Sequence, residues 1–333
     1  MSHNIINRNG NIELIRFLAA ILIMLCHLSL DFFQTSWIYV EVFLIITGYY
    51  TARHFTIHTN IPSQTESCIT YTIQKFLPLF PYTLTATTLM YLITYIPRLV
   101  SKEYNVIGLF WTIFQDYFFD ILFCIEIYQK PLLGTLWYLS AIFIIFPLFI
   151  LLVQSKNKHT LLIVTILYPL LYYGRMNVVC STEYPYAFFR VFAGMCIGAS
   201  IFYCIFLFEK YIKKINVRLL TAIELITFLI PCAATYNNYI PSRFMLFCFC
   251  ISLSIALSGL SYTSRICGKL PIYLGKLSVP IYIFHFLFIT LFNVYDTGNK
   301  LLCCIVTIIF SMIMLWFVEH CFLHILQNIL PRR

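Results

Sequence analysis

Glu13, Arg16 and His27 lie in the apolar run Asn11-Ile12-Glu13-Leu14-Ile15-Arg16 through Cys26-His27. Ionisable groups in a segment apolar enough to enter a bilayer are costly, which makes them functional candidates by default. On a helix, Arg16 and His27 are about 16 Å apart along the axis and about 20° apart around it, so they share one face at two depths. Glu13 precedes Arg16 at a spacing that permits an ion pair. An imidazole titrates near neutrality, so His27 can take a proton as a general base or carry a group as a nucleophile. The structural alternative is that Glu13 and Arg16 snorkel to the interface while His27 packs.

Further candidates are spread along the chain. Glu41 and Gly48 belong to Glu41-Val42-Phe43-Leu44-Ile45-Ile46-Thr47-Gly48-Tyr49. The carboxylate could orient a histidine, accept a sugar hydroxyl or be solvated, and the glycine permits close approach of another backbone. Lys75, in Gln74-Lys75-Phe76-Leu77-Pro78-Leu79-Phe80-Pro81, can anchor an interface or bind phosphate as a point charge. Trp137 and Tyr138 suit an interfacial belt or a platform for a sugar ring. Arg190, which opens Arg190-Val191-Phe192-Ala193-Gly194 and leads to Gly198, needs a partner, either Glu183 or a ligand. Tyr282 and His285 share a helical face. The pairs His54/His58 and His320/His324 lack a third ligand, and the 13 cysteines contain no C-x2-C pair, so no metal site is expected.

These residues need membrane helices to position them. Of the 333 residues, 61% are hydrophobic and 11% charged, against about 25% charged in soluble domains. Apolar segments at 13–32, 37–54, 75–96, 133–153, 160–174, 185–208, 218–236, 243–261, 272–292 and 301–325 predict an all-α polytopic membrane bundle of about ten transmembrane helices. Residues 55–72 read as a polar loop. Residues 106–125 carry Gln115, Asp116 and Asp120 and read as an interfacial or re-entrant helix. With both termini cytoplasmic, Lys156, Lys158, Lys210, Lys213, Lys214, Arg218, Arg265 and Lys269 fall inside. Arg98, Lys102, Lys130, Arg175, Arg243 and Lys300 fall outside. Cys124 and Cys180 then lie on the outer side and could pair. The expectation is one integral membrane domain over 1–333, with no soluble domain after it and a retained first helix, since no A-x-A-type site follows it. The excess of 22 basic over 13 acidic residues orients helices and is not a nucleic-acid footprint.

The ordered set of segments resembles the membrane-bound acyltransferase 3 family. The match rests on Arg16 and His27 in the first span, Phe43 to Tyr49 in the second, Leu136-Trp137 to Ser140, Arg190 with Gly194 and Gly198, and Leu274-Gly275 to His285. Three departures stand out. Val42 and Thr47 replace family residues in the second span. Lys75 and Pro78 occupy the two positions where the family has arginines, while Pro81 is kept. The family's Glu after the Leu-Trp-x-Leu-Ser segment is missing.

The resemblance implies transfer of an acyl group, usually acetyl from acetyl-CoA, to a hydroxyl of a cell-surface glycan or its lipid-linked precursor. It implies His27, Arg16 and Glu13 as the catalytic group. Arg16, Lys75, Arg53 and Gly48 would hold the donor, with Gly48 admitting the pantetheine arm. His285, Glu41, Trp137, Tyr138, Arg190 and Tyr282 would hold the acceptor. The expected partners are acyl-CoA, the glycan and the bilayer of a plasma or inner membrane; no permanently bound cofactor, metal or nucleic acid is expected. Two rival readings remain: a proton-coupled transporter of a glycan or anionic lipid, and an acyltransferase using succinyl-CoA or a non-sugar acceptor.

Overall fold

The computed structural model describes residues 9–28, 33, 35–57, 64–100, 106–128, 130–155, 157–174, 185–234, 241–294 and 299–322. Among these the secondary structure is helical, without a strand. The helices are α1 (Gly10–His27), α2 (Val40–Ile57), α3 (Gln64–Phe76), α4 (Phe80–Val100), α5 (Val106–Ile121), α6 (Ile125–Tyr128), α7 (Leu136–Val153), α8 (Lys158–Gly174), α9 (Tyr186–Ile212), α10 (Val217–Ala234), α11 (Ser242–Ser258), α12 (Lys269–Val294) and α13 (Lys300–Phe317). Both chain ends, Cys180, Glu183, His58 and His324 lie outside the described residues, and with them the expectations of cytoplasmic termini and a Cys124–Cys180 pair.

Six stretches among the described residues are long and apolar enough to cross a bilayer: Gly10–His27, Cys68–Arg98, Leu136–Val153, Tyr186–Ile212, Lys269–Asn293 and Lys300–Phe322. Shorter apolar helices occur at His159–Gly174 and Ser242–Ser258. The remaining expected spans, α2 and α10, have 18 residues each and carry the buried carboxylates Glu41 and Glu224.

Two local readings change, and a third gains detail. The first helix ends at His27, not near residue 32; Leu28 caps it and donates its backbone N–H to Met24 and Cys26. Residues 64–72, expected as loop, are helical. Cys68, Thr72 and Phe76 fall on one face and are buried, and the Thr72 hydroxyl donates to the Cys68 carbonyl at 2.8 Å. Hydroxyl side chains that bond back along the helix in this way do not break it. In α5, Asp116 and Asp120 are buried, while Ile107, Phe110, Trp111, Phe114 and Phe118 are exposed. The carboxylates that argued against insertion are thus turned inward and the apolar face outward.

The chain divides into two compact units. The first holds residues 1–64, 148–180 and 189–278, and the second 65–147, 181–188 and 279–333. In the first unit α10 and α11 pair closely, with the Ser252 hydroxyl donating to the Glu224 carbonyl at 3.1 Å. Helices α2 and α9 touch backbone to backbone. Gly198 leaves room for the Ile45 carbonyl and Tyr49 amide, and the space beside Gly48 is filled by the Met195 backbone. Small residues allow this closeness, which gains dispersion contacts where no hydrophobic drive exists between helices.

In the second unit α4 and α5 pair through polar contacts. Tyr91 donates to Asp120 Oδ2 at 2.7 Å, and the hydroxyls of Thr88 and Tyr117 meet at 2.7 Å. Phe76 packs edge-on against Phe123 and Phe143, and Phe310 of α13 against Phe284 and Phe288.

Candidate active site

The N-terminal end of α1 is tied down by polar side chains. Asn9 caps the helix by accepting from the Asn11 amide at 3.0 Å, and its own side chain donates to the Ala256 carbonyl at 2.9 Å. The Asn11 side chain donates to Glu224 Oε1 at 2.6 Å and to the Thr263 hydroxyl at 2.9 Å, and Thr263 in turn donates to Glu224. One turn on, Glu13 and Arg16 form the ion pair that their spacing permits, with Arg16 Nη1 at 3.0 Å from Glu13 Oε2. Glu13 is buried, whereas the Arg16 side chain is 25% exposed. The Tyr50 phenol lies within electrostatic reach of Glu13, Arg16 and Arg53, which places Arg53 of α2 near the same end; its side chain is exposed. The Glu13 carboxylate occupies the space that a side chain on Gly275 would fill.

Helix α1 is unbroken from Arg16 to His27, so the two stay about 16 Å apart along its axis. His27 is its last residue, with an exposed ring. Beside it, Cys26 lies against the backbone of Ser36 and Trp37. Trp37 stacks under Arg190, whose Cζ is 5.2 Å from the ring centroid. Arg190 and Glu41 form a buried ion pair, Nε to Oε1 at 2.6 Å, and Tyr173 donates to the other Glu41 oxygen at 2.5 Å. The C-terminal end of α1 is thus linked, through the segment at 36–39, to α2, α8 and α9.

The second unit gathers the aromatic candidates. The rings of Trp137 and Tyr138 are 5.9 Å apart, Tyr138 and Tyr282 are 5.4 Å apart, and Tyr282 and His285 are 5.8 Å apart. His285 is fully buried, with Nδ1 at 3.2 Å from the Ile281 carbonyl. Lys75 is exposed, its Nζ 5.1 Å from the centroid of Tyr71.

Of the residues read from the sequence, Glu13, Arg16, His27, Glu41, Gly48, Arg53 and Arg190 belong to the first unit. Lys75, Trp137, Tyr138, Tyr282 and His285 belong to the second. The structure joins Glu13 to Arg16, Glu41 to Arg190, and Tyr138 through Tyr282 to His285. It gives Arg190 a partner in Glu41. Sequence reasoning missed Glu224, although a single acid in the apolar run 218–236 was a legible signal. It also missed Tyr173, which carries no such signal.

This arrangement offers an arginine pair-bonded near one end of a helix, an accessible imidazole at the other, and a separate aromatic cluster around a buried histidine. The family model for acyltransferase 3, described as an acyltransferase domain, matches residues 9–318. No curated protein and no solved structure matches the chain.

Proposed function

Because the chain belongs to the acyltransferase 3 family, we propose that this membrane acyltransferase moves an acetyl group from acetyl-CoA to a hydroxyl of a cell-surface glycan or its lipid-linked precursor. The observation that carries the reading is α1 itself: one unbroken helix with the Glu13–Arg16 pair near one end and His27 at the other. The CoA phosphates bind near Arg16 and Arg53. A guanidinium makes its strongest contacts with such oxyanions. The pantetheine arm runs along α1 toward His27. With the Met195 backbone filling the space beside Gly48, that glycine serves helix packing in this scheme.

His27 acts as general base. It takes the proton of the acceptor hydroxyl as that oxygen attacks the thioester carbonyl. The carbon–sulfur bond breaks, the CoA thiolate leaves, and the proton passes from the imidazolium to the sulfur. Trp137, Tyr138 and Tyr282 offer aromatic surface to a sugar, with His285 behind them. Glu41 and Arg190 brace the segment at 36–39.

The test uses the purified protein in detergent with acetyl-CoA and surface glycan. Acceptor-dependent CoA release and an acetyl ester on the glycan by mass spectrometry are expected. No release with acetyl-CoA, but release with succinyl-CoA, would move the donor to another acyl thioester. Absence of both would remove the acyl-CoA reading.

A further inference from the structure

Gly275 of α12 faces Glu13 of α1, and it is the detail of that contact that matters. A Cβ at 275 would run into Glu13 Oε2, would come within 2.8 Å of the carboxyl carbon and would sit 2.5 Å from Glu13 Cβ. Turning the carboxylate away relieves the first two contacts. The third involves an atom fixed to the helix, so any larger residue forces α1 and α12 apart. Within α12 the Ser278 hydroxyl donates to the Gly275 carbonyl at 2.7 Å, which keeps the helix backbone regular at this point. The first turn of α1 cannot give easily. Gly10 rests on the Ile266 carbonyl, and Asn11 is bonded to Glu224 and Thr263.

Glu13 is therefore clamped, and it holds one corner of the Arg16 guanidinium at 3.0 Å. A guanidinium binds phosphate through a rigid fork of donors, so its orientation decides how many contacts it makes.

We infer that Gly275 is a positioning residue for the donor: it makes room for the Glu13 carboxylate, which sets the Arg16 fork toward the phosphates of acyl-CoA. The inference rests on the acyl-CoA reading above. A neighbouring carboxylate also lowers the positive charge available to phosphate, an effect of opposite sign that the direction of the KM change separates from positioning.

Gly275→Ala should raise the KM for acetyl-CoA about tenfold, the factor expected for one charge-assisted hydrogen bond, and lower kcat far less. Glu13→Gln keeps the side-chain volume and removes the charge, so it should raise KM similarly. It also serves if the alanine variant does not fold. Gly275→Ala added to Glu13→Gly, which also removes the obstructing Cβ, should cost much less than it does alone. A second readout needs no catalysis: modification of Arg16 by phenylglyoxal, located by peptide mass spectrometry, should speed up several-fold in both single variants.

An unchanged or lowered KM together with unchanged Arg16 reactivity in folded variants overturns the inference, and a lowered KM alone makes Glu13 a competitor of the donor. Faster Arg16 modification in a protein whose wild type does not use acyl-CoA would leave the clamp standing and remove the donor reading.

Discussion

Arg190 on α9 and Glu41 on α2 meet as a buried ion pair, with Nε 2.6 Å from Oε1. The carboxylate is fully buried and the arginine nearly so. Tyr173 from α8 occupies the other carboxylate oxygen, and the Trp37 ring lies against the guanidinium. Two residues that read separately as acceptor ligands thus form one brace beside the end of α1.

Removing one member leaves the other charge buried and uncompensated, which typically costs about 3–5 kcal/mol. Glu41→Ala and Arg190→Ala should each lower the thermal midpoint in detergent strongly. The apolar double variant Glu41→Leu with Arg190→Met should recover much of the loss. Near-wild-type melting in both single variants would mean that the pair contributes little.

His27→Ala and His27→Gln should leave melting and donor affinity near wild type, because the ring lies exposed at the helix end. Glycan acetylation should fall by about 10²–10⁴, the usual contribution of a general base. Detection of acyl-His27 in protein incubated with donor alone would instead make the histidine a covalent carrier. Normal turnover in a folded variant would take the residue out of the chemistry.

Arg16→Ala should weaken acetyl-CoA binding. Arg16→Lys should recover only part of it, since the ammonium supplies charge without the fork. Binding by calorimetry separates this from effects on turnover. If both variants bind as wild type does, Arg16 serves only as an interfacial anchor.

Asp120 is fully buried, and among the described residues its Oδ1 meets no hydrogen-bond donor. Tyr91 supplies the one bond to Oδ2. Tyr91→Phe should therefore destabilise the α4–α5 pair by about 1–3 kcal/mol, the cost of leaving a buried polar group unmade. Adding Asp120→Leu should cancel most of that penalty. Thermal unfolding of the single and double variants measures both.

Topology is open to direct labelling. In a cysteine-depleted background, single cysteines at Asn157 and Asn216 should be shielded from an impermeant thiol reagent in intact cells, and one at Asn299 should react. Reaction at Asn216 would reverse the helices on either side of it. It would also break the ten-span arrangement.

The sequence by itself determined the membrane class, most helices and the family. Long apolar runs carry that information locally, because each spanning helix satisfies its own backbone hydrogen bonds. It also placed the Glu13–Arg16 pair, since three residues along one helix fix the neighbours without help from the rest of the chain. It could not choose partners between helices. Arg190 pairs with Glu41, far away along the chain, a partner that its own segment does not indicate. The polar stretch at 64–72 looked like loop because its hydroxyls counted as polar, whereas the Thr72 hydroxyl bonds back to the Cys68 carbonyl and both residues are buried on one helix face. That Asp116 and Asp120 face inward was not legible, because a linear count cannot say which way a helix is turned. Gly275 carried only the motif Leu-Gly; that the missing side chain leaves space for Glu13 was decided by two helices meeting, and packing of that kind exists only in three dimensions.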